Sequence, residues 1–396
     1  MAVPSMGGTD AEAEVQDLLA DAWRADGLDV TSWDLDIAAL SAEPDFPGME
    51  VHRSGARGVV ARLPGSGDGP TLLLLGHTDV VPPGDLAAWS GDPFLPRRSG
   101  SSIIGRGTCD MKAGTAAMWY AVRALQRSGA RLRGDVVLAA VSGEEDGGLG
   151  TYALLRRGVT ADACIIPEPT DLDLVPANGG ALTFRLRVRG RATHASRRNE
   201  GVSAIEKFTA VQERLRQLER DRNAEVDPVM ERWDIPYPLS VGTIHAGDWA
   251  STVPDLLVAE GRLGVALDEP ADHARADFEE ALALLSLEDP WFADHPVEVE
   301  WWGGQFAPGR TPPDDPAVAL LSRVHGDLSG QRPACYGAPY GSDLRLLAGS
   351  GIPTVQFGPG DSRAAHAPDE WVDVDDIVAC ARTLAAYAVE FCGVRD

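Results

Sequence analysis

Cysteine is scarce: five residues, Cys109, Cys164, Cys335, Cys380 and Cys392, with no Cys-x-x-Cys pair among them. That spacing argues against a disulfide framework and against a thiolate zinc site, and a reduced cytoplasmic protein is the simplest reading. Basic charge is also short, with 35 Lys and Arg against 60 Asp and Glu and a formal net charge of -25. Such a surface repels phosphate backbones, so nucleic acid is not expected as a partner. The acids are spread along the chain and report solubility rather than a substrate. No apolar run approaches the ~20 residues that a membrane-spanning helix needs, so no membrane association is expected. The opening MAVPSMGGTDAEAEV has neither a basic segment nor a following apolar stretch, and no secretory signal is expected.

What is present is a chain of 396 residues, 44% of them hydrophobic, enough for a sizeable core in two or three domains. Val15, Leu18, Leu19 and Trp23 at helical spacing predict a helix from Asp10 to Gly27. A loop rich in Pro, Trp and Asp follows, WDLDIAALSAEPDFPGMEV. Apolar strands are then expected at GVVARLPG, PTLLLLGHTDVV, DVVLAAVSGEE and ACIIPEP, with a helix at DMKAGTAAMWYAVRALQRSG. Continuous apolar strands alternating with helices indicate an α/β sheet covered on both faces.

At ALTFRLRVRGRATHAS the period changes to that of a strand with one wet face, Leu182, Phe184, Leu186 and Val188 alternating with Arg185, Arg187 and Arg189. A helix with Ile205, Phe208, Val211, Leu215 and Leu218 on one stripe follows. Then come LSVGTIHAG, TVPDLLVAEGRLGVAL, a helix around Asp272 to Leu287, and VEVEWWG. That β-α-β-β-α-β order fits a small ferredoxin-like sandwich. The Pro-rich APGRTPPDDP marks a return to the first domain and its buried strand IPTVQFGPG. The expected organisation is an α/β catalytic domain, residues 1–179 and 304–396, interrupted by an inserted α+β domain, 180–303.

Five stretches bearing acids or histidine sit where strands are expected to end: GHTDVVP, GRGTCDMKAG, SGEED, PEPT and AHAPDEW. Ligands of open α/β sheets collect beyond the carboxyl ends of the strands. His77, Asp110, Glu144, Glu145, Glu168 and His366 can therefore converge although they lie far apart in the chain. Two histidines with several carboxylates and no thiolate suit zinc, cobalt or manganese with open coordination positions. A bridging carboxylate would allow a two-metal clamp for hydrolysis. His77 and Asp79 leave the same face of a strand, so Asp79 can accept the imidazole N–H and orient the ring.

Each stretch has a plainer reading alone. SGEED is a solvated acidic loop, PEPT a turn, and Asp110 a helix cap. Cys109 is a small buried filler, and the arginine stripe covers a wet strand face. The case rests on all five occurring together.

In order, GHTDVVP, GRGTCDMKAG, SGEEDGG, PEPT, GRATHAS, FGPG and AHAPDEWV closely resemble the co-catalytic zinc aminoacylase and peptidase family. That family includes acetylornithine deacetylase, succinyl-diaminopimelate desuccinylase and glutamate carboxypeptidase. The resemblance runs from about Pro4 to the C-terminal helix, and it implies roles. His77 and Glu168 would bind one metal and Glu145 and His366 the other, with Asp110 bridging and Asp79 orienting His77. Glu144 would be the general base for the metal-bridging water. His194 would be the lid histidine that stabilises the oxyanion in the partner subunit of a homodimer. One departure stands in ASTVPDLLVAEGRLGV. Ser251 is near the usual asparagine, and Gly264 occupies the position of the usual carboxylate-binding arginine, with Arg262 two residues earlier on the same strand face.

The expected function is metal-dependent hydrolysis of the amide of an N-acyl amino acid or similar small molecule, acetylornithine deacetylase-like. Dipeptidase or carboxypeptidase activity is the alternative. A non-catalytic metal-binding protein is disfavoured, because neither Glu144 nor any ligand is missing.

Overall fold

The computed structural model describes residues 2–395, which form two compact units. The first comprises the chain up to Ala177 together with Arg310–Tyr336 and the segment from Ser342 onward; the second comprises Asn178–Gly309 and Gly337–Gly341. The inserted unit thus ends a little beyond the expected 303 and recruits a short later segment that no composition change announces.

A mixed nine-stranded sheet runs through the first unit. Its central order is Asp29–Asp34, Arg57–Leu63, Val136–Val141, Leu72–His77, Ala163–Ile166 and Thr354–Gln356. Leu72–His77 is parallel to both its neighbours, and Thr354–Gln356 is parallel to Ala163–Ile166. Four adjacent strands therefore end at the same edge of the sheet.

The leucine run behaves as a strand covered on both faces. Leu72 and Leu74 pack with Trp23, Met118, Val122, Leu321 and Leu384 on one side. Leu73 and Leu75 pack with Leu154, Leu344 and Leu347 on the other. All four are at most 1% exposed, and each such burial is worth roughly 1.5–3 kcal/mol. The helices Ala11–Ala25, Ala113–Ser128, Pro316–Ser329 and Val374–Cys392 supply the first of these faces. A separate three-stranded antiparallel ribbon joins Trp371–Asp373, Ser102–Ile104 and Arg97–Ser99.

The second unit has the anticipated β-α-β-β-α-β order. Its antiparallel sheet runs Leu239–Ala246, Leu256–Val265, Gly180–Arg189, Glu298–Phe306. Helices Ala204–Arg222 and Ala271–Ala283 pack on the face carrying Phe184, Leu186 and Val188. Ile205 is exposed, not part of the core stripe; Ala204 is buried there instead. The second helix stops at Ala283, and a separate turn, Leu285–Glu288, leaves Leu287 in solvent. Arg185 lies opposite Glu260 and Glu300 on the flanking strands and pairs with both, while Arg189 pairs with Glu298. The arginine stripe is a wet face neutralised by cross-strand pairs.

The early loop is less irregular than its composition suggests. Asp29–Asp34 is an edge strand, largely exposed, so no apolar alternation marked it. Ile37–Ser41 is a short helix whose Asp36 side chain accepts from Ala39 N.

Candidate active site

Three parallel strands deliver the site. His77 is the last residue of its strand, Glu144 and Glu145 follow Val141, and Glu168 follows Ile166. Asp110 stands just before helix Ala113–Ser128, and His366 lies in the loop ahead of Trp371–Asp373. Asp110 is not that helix's cap: Lys112 occupies the capping position.

The Asp110 carboxylate lies between the two histidines. Its Oδ1 is 2.9 Å from His77 Nε2 and its Oδ2 is 3.4 Å from His366 Nε2. Glu168 Oε1 lies 3.8 Å from His77 Nε2, and Glu145 Oε2 lies 3.1 Å from His366 Nε2. Ligand atoms of His77, Asp110 and Glu145 all fall within 4.8 Å of one another. Glu145 Oε1 is buried with no hydrogen-bond partner among the described residues.

Tautomer follows from geometry. His77 Nδ1 is 3.0 Å from the main-chain carbonyl of Asp79, and a carbonyl can only accept. When the ring is neutral its proton therefore stays on Nδ1 and Nε2 presents its lone pair; in the metal-free protein Nε2 is protonated as well and donates to Asp110 Oδ1. The Asp79 side chain is farther, with Oδ1 at 3.7 Å from Nδ1. Its Oδ2 instead accepts from the Glu145 main-chain N–H at 3.1 Å. Asp79 thus orients the ring through its backbone and steadies the Glu144–Glu145 loop through its carboxylate.

Charges this close perturb one another. Burial pulls the His77 pKa down, but the Asp110 hydrogen bond and the neighbouring carboxylates outweigh it and hold it well above the ordinary imidazole range. Hydrogen bonds to Asp110 and Glu145 raise His366 to about 10. Burial lifts Glu168 to about 8. Burial also lifts Glu144 well above the usual carboxylate range, and the Asp343 charge adds to it. For Asp110 burial is overcome by the two histidines, which hold its carboxyl low.

Several further residues shape this loop without any signal in the sequence. Arg53 is buried between Glu12 and Asp146, donating to both Asp146 oxygens at 2.8 Å. Asp146 follows Glu145 directly and also accepts from the Glu50 and Val51 amides. Asp343 is buried and accepts from Thr151 Oγ1. Glu370 is buried beside Arg106 at 2.6 Å. Nothing in VHRSGARG or YGSDLRLL distinguishes Arg53 or Asp343 from surface charges. Glu370 lay within the AHAPDEW stretch without an assigned role.

His194 belongs to the second unit, where its Nδ1 accepts from Ser196 N at 3.2 Å and caps a short helical turn. Gly264 in the same unit has no room for a side chain. A Cβ there would lie 2.6 Å from Tyr237 C and 2.8 Å from Pro238 N and O. Arg262 stacks over the Phe306 ring at 5.7 Å.

The profile of peptidase family M20/M25/M40 matches residues 73–390, a span that takes in every ligand candidate. The chain belongs to this family. It is accordingly a hydrolase of amide bonds, as the family's members are. Among curated relatives, N-formyl-4-amino-5-aminomethyl-2-methylpyrimidine deformylase of Halalkalibacterium halodurans is 29% identical, over 82% of this chain and 80% of that one. Succinyl-diaminopimelate desuccinylase of Leptothrix cholodnii is 32% identical, over 85% and 88%. Acetylornithine deacetylase of Salmonella arizonae is 28% identical, over 85% of each. Among solved structures, the M20 family metallo-carboxypeptidase Sso-CP2 of Sulfolobus solfataricus superposes with a TM-score of 0.78 at 16% identity, covering 99% of this chain and 97% of that one. The YXEP protein of Bacillus subtilis, described as a dinuclear metal-binding peptidase of the M20 family, gives 0.63 at 17%, covering 98% and 94%. Among the described residues no helix is long and apolar enough to cross a membrane.

Proposed function

We propose that this M20 hydrolase removes a small acyl group from the nitrogen of a small amine or amino acid, using two divalent cations. The carrying observation is the Asp110 carboxylate set between two histidines, each backed by a further glutamate. The donors suit such ions: with the Nδ1 proton held by the Asp79 carbonyl, Nε2 of His77 is the nitrogen that can bind once it gives up its proton, and Glu145 Oε1 is a buried oxygen lacking a partner among the described residues. His77 and Glu168 would hold one cation, Glu145 and His366 the other, with Asp110 shared. Zinc is the leading choice, with cobalt or manganese as alternatives. Bound there, the ions supply Lewis acidity, polarising the scissile carbonyl and lowering the pKa of water.

The chain's own residues do the rest. Glu144 is buried beside the ligand Glu145, where burial raises its affinity for a proton above that of an ordinary carboxylate, as a general base requires. It takes a proton from the attacking water and delivers it to the amine as the C–N bond breaks, leaving acid and free amine. Asp79 keeps Glu145 and the His77 ring in place while this happens. His194, from the partner of a homodimer, would donate to the oxyanion.

A second reading of the substrate is favoured by one observation. The position of the family's carboxylate-binding arginine is Gly264, where only glycine fits against Tyr237 and Pro238. This supports an acylated amine without the α-carboxylate of acetylornithine, in line with the likeness to a deformylase of an aminomethylpyrimidine. Hydrolysis assays with paired N-formyl, N-acetyl and N-succinyl substrates, with and without an α-carboxylate, and with dipeptides decide it. Preference for carboxylate-free N-formyl amines supports the second reading, and preference for N-acetyl amino acids the first. Turnover confined to dipeptides contradicts both.

A further inference from the structure

Two residues of the His366 loop have left-handed backbones, His366 at φ +60 and Asp369 at φ +53. Residues with a β-carbon pay for that conformation, so the surroundings must hold it. Asp369 is tied to Ser90 N at 3.0 Å and to Arg97 at 2.7 Å. The next residue, Glu370, makes a different set of bonds.

Glu370 Oε1 accepts from the main-chain N–H of Cys109 at 2.8 Å and of Asp110 at 3.0 Å. Its Oε2 receives Arg106 Nη1 at 2.6 Å. The other arm of the same guanidinium, Nη2, reaches the main-chain carbonyls of His366 at 3.4 Å and Pro82 at 3.3 Å. One ion pair therefore joins the backbones of two candidate ligands that are far apart in sequence. The antiparallel ribbon fixes the pair's own position: Trp371 faces Ile104, and Gly105 N donates to the Glu370 carbonyl at 2.8 Å. The Trp89 ring covers the guanidinium at 5.2 Å, and both charged side chains are at most 2% exposed.

A buried ion pair is weak evidence for stability, because apolar replacements of similar volume often do as well. Its reach to Asp110 and His366 suggests a different use. We propose that Arg106 and Glu370 are positioning residues that hold the Asp110 carboxylate and the His366 imidazole at the separation two divalent cations require. The inference rests on the functional reading above.

Zinc titration of the metal-free full-length protein, against a competing chelator, tests it. Arg106→Lys keeps a positive charge beside Glu370 but lacks the second arm of the fork. Affinity for the ion served by His366 should fall roughly 10- to 100-fold, while the other site changes little. Turnover at saturating zinc should recover toward wild type, with the half-activating zinc concentration raised. The paired change Arg106→Met with Glu370→Leu strands no buried charge, and it serves if the lysine variant does not fold. It also frees the Asp110 amide, so affinity for both ions should fall. A merely structural pair would lower the unfolding midpoint and leave both zinc affinities unchanged. Folded variants with wild-type zinc affinities overturn the proposal while wild type still binds two ions. A wild-type protein that binds no zinc overturns the functional reading, and this inference with it.

Discussion

Loading the site with metal must expel protons, and the structure sets about how many. Without metal at pH 7, His366 carries a proton, since its carboxylate neighbours raise it to about 10. His77 carries one as well: the Asp110 bond and nearby charges overcome burial and hold it well above the imidazole range. Both must be neutral to ligate, so filling the site releases about two protons at pH 7. Glu168, raised to about 8 by burial, adds to this in part. Each proton contributes ~1.4 kcal/mol per pH unit, so two give about a hundredfold gain in overall loading for each unit of rising pH. The sign for the empty protein is opposite. Raised histidine pKa values stabilise its fold below pH ~6.5, and the stabilisation fades as pH rises toward 10. Calorimetric zinc titrations at pH 6, 7 and 8, in buffers of different ionisation enthalpy, count the protons directly. Loading that releases no proton and keeps the same affinity over that range would show that the two histidines are already neutral in the empty site.

Other residues give separable outcomes. Glu144→Gln keeps shape but cannot take the proton, so kcat should fall at least ~10²-fold with metal content unchanged, whereas Glu145→Gln should lower occupancy of one site. Elemental analysis of both variants checks this, and metal loss in Glu144→Gln alone would mean the adjacent glutamates are reversed. Arg53→Met strands the buried carboxylates of Glu12 and Asp146, and it should cost about 3–5 kcal/mol in urea unfolding of the catalytic unit. A loss under ~1 kcal/mol would show the charges were never paired tightly. Mixing His194→Ala with Glu144→Gln protomers should restore activity far above either parent if the histidine is donated across a homodimer. No rescue despite demonstrated subunit exchange would remove that role.

Much of the architecture was legible because apolar pattern and strand period are strong signals. The leucine run and the alternation at Leu182–Val188 announced two different kinds of sheet, one covered on both faces and one on a single face. The ligand candidates were legible because strand ends at one sheet edge bring sequence-distant residues together. What the sequence hid is what depends on pairing at a distance. Arg53 and Glu370 read as ordinary surface charges until the fold buries each beside its partner. The exposed edge strand Asp29–Asp34 had no apolar face to betray it. That Asp79 uses its backbone carbonyl for His77 and its carboxylate for Glu145 is a matter of a few tenths of an ångström, which no spacing rule contains.

The central claim is that His77, Asp110, Glu145, Glu168 and His366 hold two ions which Glu144 needs in order to hydrolyse an amide. Its most direct test joins elemental analysis to turnover of an N-acyl amine in one preparation, before chelation, after it, and after zinc is returned. About two divalent ions per chain are expected, with hydrolysis lost on their removal and regained as the second ion is restored. Full hydrolysis by a metal-free preparation would contradict the claim.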